Sequence, residues 1–361
     1  MSNLVQKHYQ NYPYPKYPLI ASVRRCDTYA LNLNTLWCRF NGKLPPKTAQ
    51  KILIAGCGTF APYPWSVANP DAKITALDLS ERSLRRARLH CLLHGRRNVT
   101  FQCGDLLDSI SASDKFGLID SYGVLHHLDD PLSGLKSLEA RLQDGGILRI
   151  MVYSRYARRE EESIRRALRL LRISTPAEVR RLLTKARVGS RLANYMAASG
   201  ETDTDAGMAD ALLHPQVQTF RIDGLMDMIR QTGLQPLLFA HQDALEDVQE
   251  EIRRLQKLEK DRLSPGNFII YLGKSVVCPS GSPENNMIVL NPCLTSAVSL
   301  FKIGTLQIPA RTGNCNPALG YSERRFLRRF SSPVQRSKLT FDMAEAVEVF
   351  KRALFLMEYA A

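Results

Sequence analysis

The chain of 361 residues has no run of eighteen apolar residues, which excludes a membrane-spanning helix of ordinary length. Its opening, MSNLVQKHYQ, lacks the apolar stretch of a secretory signal, so a cytoplasmic location is expected. Its eight cysteines (Cys26, Cys38, Cys57, Cys91, Cys103, Cys278, Cys293, Cys315) include no CxxC pair. That scatter argues against a zinc or disulfide framework, and no metal site is expected; cysteines inside apolar strands behave as buried reduced thiols. Acidic residues are also in short supply, 35 against 49 Lys and Arg, for a net charge of +14. Much of that excess lies between Ser154 and Arg191 and in the ERRFLRRF run at Glu323 to Phe330. No pattern of aromatics interleaves these arginines, so nucleic acid is not expected as a partner. Solvated helix faces, an anionic small-molecule substrate, a lipid headgroup or a partner protein suit them better.

What the sequence does have is a glycine turn. In KILIAGCGT, Lys51 to Thr59, the apolar Ile52, Leu53 and Ile54 read as a central strand that ends at Gly56 and Gly58, where the backbone can turn sharply and approach a ligand. GCGTFA alone also fits a dinucleotide binder. A second strand, Ala72 to Leu77, ends in Asp78, whose carboxylate is placed to accept from two ribose hydroxyls; that role suits NAD and S-adenosylmethionine equally. A third strand, Val99 to Cys103, ends in Gly104 and Asp105, and a fourth runs into SYGVLHHLDDP.

This succession resembles the class I S-adenosylmethionine-dependent methyltransferases over about Lys51 to Lys274. The resemblance implies S-adenosylmethionine as cofactor, with Asp105 accepting from the adenine amino group. It places the cofactor against Ala55, Gly56, Gly58, Asp78, Leu79, Gly104, Asp105, Leu106 and Tyr122. Two departures stand out. Where the family usually carries an acid two residues before the first glycine and a third glycine two after the second, this chain has Ile54 and Phe60. The cofactor's ammonium must then find partners elsewhere, such as backbone carbonyls near Ala55 and Ser121. Pro62 and Pro64 imply a first helix that starts late.

The organisation expected is α/β: a doubly wound, mostly parallel seven-stranded sheet with a helical insertion and a small C-terminal appendage. Residues 1–50 read as a cap segment. Its HYQNYPYPKYP, His8 to Pro18, either covers the cofactor, as similar YPYP segments in related enzymes look to do, or packs as an aromatic arm on the domain surface. Cys26 to Phe40 reads as a helix. Residues 51–275 form the cofactor domain. Ser80 caps a helix Glu81 to His94, Asp130 with Pro131 opens another, and Ile147 to Tyr153 is the fifth strand. The insertion at about 154–220 shows two amphipathic helices, one opened by a capping box at Thr175 to Glu178, forming a substrate lid or a solvated hairpin. Helix Ile222 to Thr232, strand Leu237 to Ala240, helix Ala244 to Arg262 and strand Asn267 to Gly273 finish the core with a reversed hairpin edge. PSGSPENN reads as a linker to 276–361, where a helix Asp342 to Met357 is expected to serve docking or dimerisation into a homo-oligomer.

In an open α/β sheet the crevice lies outside the strands' carboxyl ends. His126 and His127 follow the fourth strand and are the natural base candidates, with His127 preferred; the structural alternative packs one of them against the cofactor or a helix. Tyr153, Ser154 and Arg155 stand at the mouth, Tyr153 as a second catalytic candidate, and Arg155 or Arg158 is placed to fix an anionic group on the substrate. His214 is a further candidate, or simply a helix-end residue before Pro215. The reading is a methyltransferase for a small-molecule or carrier-bound acceptor. A protein methyltransferase and a non-catalytic cofactor-binding scaffold are the competing readings.

Overall fold

Period-two burial along the strands builds the centre of the molecule. In β1 (Lys51–Ala55), Ile52 and Ile54 enter one apolar cluster and Leu53 and Ala55 the other, so this strand is buried on both faces. The computed structural model describes residues 3–108, 115–277, 283–301 and 303–361. Before β1 come α1 (Asn3–Asn11), a tight helical turn Arg25–Leu31, and α2 (Leu33–Asn41). After it follow α3 (Pro62–Ala68), β2 (Lys73–Asp78), α4 (Glu81–Leu93), β3 (Val99–Cys103), β4 (Phe116–Tyr122), α5 (Pro131–Arg141) and β5 (Leu142–Val152). The insertion holds α6 (Arg159–Leu170), α7 (Pro176–Lys185), α8 (Arg191–Ala198) and α9 (Asp205–Met208), the last running into a π turn Ala209–Leu213. Then come α10 (Ile222–Arg230), β6 (Leu234–Phe239), α11 (Val248–Lys260) and β7 (Phe268–Lys274), and finally β8 (Met287–Leu290), α12 (Tyr321–Arg328), β9 (Val334–Gln335), α13 (Phe341–Arg352) and β10 (Leu356–Tyr359).

The seven-stranded sheet has the order β3-β2-β1-β4-β5-β7-β6, and β7 runs antiparallel to both β5 and β6. The sheet is therefore doubly wound with a reversed edge, as expected. The strand order reverses between β1 and β4, which opens the crevice at their carboxyl ends. Several local signals are realised as read. Ser80 accepts from Ser83 N at the start of α4, Asp130 accepts from Leu132 N and Ser133 N at α5, and both halves of the Thr175–Glu178 capping box form at α7. Pro62 does sit in the first turn of a late α3.

Three elements differ from expectation. The helix read over Cys26 to Phe40 is broken at Asn32, which is extended and caps α2 with its side chain while its amide donates to the Ala68 carbonyl at 2.9 Å. The insertion holds four helices rather than two, gathered on a small core of Ile164, Leu168, Val179, Met208 and Leu212. The helix read over Asp342 to Met357 stops at Arg352; Leu354 takes a positive φ of 59°, and the next residues become β10, paired antiparallel with β8.

The C-terminal residues also share a core with the N-terminal ones. Phe330, Phe350 and Phe355 lie in the same cluster as Tyr29, Leu36, Trp37 and Trp65. Asn291 ties the layers together, its amide donating to the carbonyls of Tyr29 (3.1 Å) and Leu354 (2.8 Å). The linker read at PSGSPENN lies partly outside the described residues, as does Cys278. Cys26, Cys38, Cys57, Cys91 and Cys293 are buried thiols, and Cys103 and Cys315 are exposed.

Candidate active site

Gly56 and Gly58 have φ of 72° and 56°, and the turn is closed by Gly56 N and Cys57 N donating to the Leu77 carbonyl at 2.8 and 3.0 Å. A Cβ on Gly56 would stand 2.3 Å from Val124 Cγ2, and one on Gly58 2.6 Å from the Tyr14 carbonyl oxygen. Both glycines are therefore sterically required. The close approach that Gly58 permits is that of the arm: Thr59 N donates to the Tyr14 carbonyl at 3.2 Å, and the Thr59 hydroxyl donates to the Pro15 carbonyl.

Asp78 ends β2 as read. Its Oδ2 accepts from Gly58 N and its Oδ1 from Ser80 N, both at 2.8 Å, so each oxygen keeps a lone pair for a ribose hydroxyl. Desolvation pushes its carboxyl pKa up. Ala55 is buried at the end of β1, and the carbonyl of Leu79 accepts from the Gln6 side chain of the arm. Gly104 N donates to the Asp78 carbonyl at 3.1 Å, which brings the β3 end beside β2; Asp105 follows, its Oδ1 accepting from Leu107 N. Leu106 packs inward, and its carbonyl accepts from Ser137 and Arg141. Tyr122 is half-exposed at the end of β4 with the Arg149 guanidinium 5.1 Å from its ring centre.

The acid missing at Ile54 has a counterpart that the sequence reading passed over. Register places Asp120 of β4 beside Ile54, and it accepts from Arg149 Nε (2.7 Å) and Trp65 Nε1 (3.0 Å). Its charge is thus committed to the scaffold. The neighbouring Ser121 hydroxyl is fully buried and makes no hydrogen bond among the described residues. An unsatisfied hydroxyl at the carboxyl end of β4, with the glycine turn and Asp78 across the crevice, fits the methyl donor assumed in the sequence reading.

Beyond Ser121 lies a buried, mutually packed cluster of histidines and tyrosines. His127 Nδ1 lies 2.8 Å from the Gln216 carbonyl, which can only accept; Nδ1 therefore carries the hydrogen and Nε2 the lone pair. His214 stacks on His127 with ring centres 3.8 Å apart, and its Nδ1 accepts from Gln216 N. His8 of the arm packs against His214 at 4.7 Å. His126 stacks on Tyr153 at 3.7 Å, and Arg158 covers that tyrosine ring 4.1 Å from its centre. Burial lowers the pKa of all four histidines, to about 4 for His8 and His127, so they are neutral at physiological pH. Burial acts oppositely on Tyr153, holding it as a protonated phenol.

Arg158 is not a free anion clamp. It pairs with Glu161 and Glu201 and donates to Asn267 at 3.1 Å, whereas Arg155 is exposed. Ser154 bridges to Phe220 and donates to Ser264, which draws segment 214–220 along the end of β5. One residue of this cluster escaped the sequence reading. Tyr9, read only as part of the aromatic arm, donates to Asp210 Oδ1 at 2.9 Å, and Asp210 sits in the π turn, a common location for functional distortion. Asp210 stands in no motif, and only folding of the insertion brings it to the arm. Among the described residues no group of His, Cys, Asp and Glu is arranged to hold a metal ion.

Comparison with known proteins bears on the domain and its fold. A family described as a methyltransferase domain matches residues 53–148. An uncharacterised protein of a Synechococcus strain is 26% identical over 81% of this chain and 78% of its own length. The ubiquinone biosynthesis O-methyltransferase of Idiomarina loihiensis is 35% identical over 100 residues, and the match spans 27% of this chain and 40% of that enzyme. Among solved structures, PKMT2 from Rickettsia typhi superimposes with a TM-score of 0.59 at 14% identity, covering 96% of this chain and 78% of that one; it is also known in complex with AdoHcy. The matched domain, the strand order and the glycine turn together establish that the chain carries a class I S-adenosylmethionine-dependent methyltransferase domain.

Proposed function

We propose that this protein methylates a hydroxyl group of a small-molecule or carrier-bound acceptor at the cluster beneath the arm, with His127 as general base and Tyr153 as a hydrogen-bond donor to the acceptor. The bound cofactor supplies an electrophilic methyl group on a sulfonium. The chain's part is to hold the acceptor in a dry pocket and receive its proton. The observation that carries the reading is the 2.8 Å contact between His127 Nδ1 and the Gln216 carbonyl, because it presents Nε2 as the basic nitrogen of a neutral imidazole. His214 stacked on its face keeps the ring in that orientation. A hydroxyl acceptor needs such a base, since it begins protonated. The partial likeness to an O-methyltransferase supports the same choice.

Incubation with S-adenosylmethionine carrying a tritiated methyl group, together with small-molecule and protein fractions of the source cell, tests this. Label is expected in the small-molecule fraction. His127→Gln is expected to lower its appearance by about 10²-fold or more while leaving S-adenosylhomocysteine affinity unchanged by calorimetry. Label confined to protein and not released with a carrier-bound group would favour a protein substrate, and cofactor binding with no transfer to either fraction would favour a scaffold.

A further inference from the structure

The outer face of α4 carries a feature that methyl transfer does not use. Residues 82–97 contain six arginines and no acid. Among the described residues none of these arginines is ion-paired: Arg82 donates to the Gln10 carbonyl, Arg86 to the Tyr17 carbonyl, and Arg88 lies over the Phe101 ring at 5.4 Å. On the same side of the helix stand three leucines turned to solvent, Leu89 at 43%, Leu92 at 62% and Leu93 at 58% exposure. Helical spacing puts Arg82 and Arg85 in line with them. The arm extends the patch, because His94 bonds the Leu19 carbonyl and so holds Ile20, 86% exposed, beside the end of α4.

Exposed leucines ringed by unpaired arginines are costly against water and need a partner with apolar depth and negative charge. A second copy of this chain meets the first need and fails the second: a two-fold contact would set these arginines against their own images. Nucleic acid meets the second and fails the first, since the apolar centre is aliphatic and offers no ring on which a base could stack. A bilayer surface with anionic lipids meets both. Leucine and isoleucine enter the headgroup region while the arginines reach lipid phosphates.

We infer that the α4 face and the adjoining arm form a docking surface for an anionic membrane. This inference does not rest on the choice of acceptor or base. Because the arm also covers the glycine turn, docking would hold it closed at the bilayer.

Sedimentation with vesicles tests the inference, using phosphatidylcholine alone and with about 30% phosphatidylglycerol. The full chain is expected to bind the anionic vesicles and to bind the neutral ones far more weakly, with affinity falling as salt rises. Arg85→Glu with Arg88→Glu is expected to lower partitioning at least about tenfold, and so is Leu92→Ser with Leu93→Ser. Both pairs lie at the surface, so melting temperature and S-adenosylhomocysteine affinity are expected to stay unchanged and serve as the folding control. Absence of binding to anionic vesicles, or equal binding by both double variants, would overturn the inference. So would binding of tRNA, or self-association in ultracentrifugation, that the same variants abolish in a chain indifferent to vesicles.

Discussion

At the scale of single residues, the crevice depends on a few groups whose partners are already chosen by the backbone. Asp78 is oriented by two amide donors at 2.8 Å. If Asp78 holds the ribose, Asp78→Ala is expected to weaken S-adenosylhomocysteine by about 1 to 3 kcal/mol, read by calorimetry, because a hydrogen-bond acceptor is lost. Tyr9 makes a different case. Its hydroxyl satisfies a carboxylate that burial has already pushed up in pKa, and the two residues come from segments 201 positions apart. Tyr9→Phe is expected to destabilise the fold by about 1 to 3 kcal/mol in urea titration, since Asp210 is left buried without its donor. An Asp210→Asn change should recover part of that loss in the double variant.

Among the elements, the arm is the one that lies across the glycine turn. It is fastened at the glycine turn, at α4, where the Ser80 hydroxyl donates to the Tyr9 carbonyl at 3.1 Å, and at the insertion through Tyr9. Gly58→Ala attacks the first of these. The new Cβ would meet the Tyr14 carbonyl at 2.6 Å on a residue with φ of 56°, a strain of about 1 to 2 kcal/mol before any clash. The arm is expected to lift, so limited proteolysis between residues 12 and 24 should accelerate while cleavage in α13 stays as in the parent. The YPYP segment announced an aromatic arm, and the structure lays it across the glycine turn. What the sequence could not show was its attachment to the insertion, because Asp210 and His214 reach it only after about two hundred residues of intervening chain have folded.

For the whole molecule, the histidines set the acid limit of stability. His8 and His127 have folded pKa values lowered from 6.5 to about 4, and His126 and His214 are lowered as well. Below about pH 6.5 the unfolded chain takes up protons that the folded chain refuses, so stability falls as pH falls through that window. His8 and His127 each contribute about 1.4 kcal/mol per pH unit until pH approaches 4, where the folded groups also protonate. Urea titrations at pH 7.5, 6, 5 and 4.5 are expected to show a midpoint flat above pH 7 and dropping steeply below 6. His8→Gln should flatten part of that slope. Constancy of the midpoint between pH 6 and 4.5 would contradict the burial of these rings.

The sequence by itself determined the sheet and its crevice. Apolar runs at Ile52, Ala72 and Val99, glycines at 56 and 58, and acids at 78 and 105 are local signals, each acting within a few residues of its own strand end. The caps at Ser80, Asp130 and Thr175 are local in the same sense, and they form as read. Tertiary structure decided what depends on distant partners. The helix over Cys26 to Phe40 breaks because Asn32 is drawn to Ala68 by a buried hydrogen bond that outweighs helical continuity. The apolar stripe at the C-terminus ends as β10 because β8 offers a strand edge to pair with. The aromatic cluster, finally, draws His8 and Tyr9 from the arm, His127 from the loop after β4, Tyr153 from the end of β5 and Asp210 from the insertion. No spacing in one dimension encodes such a convergence, since it exists only once packing has brought those segments together.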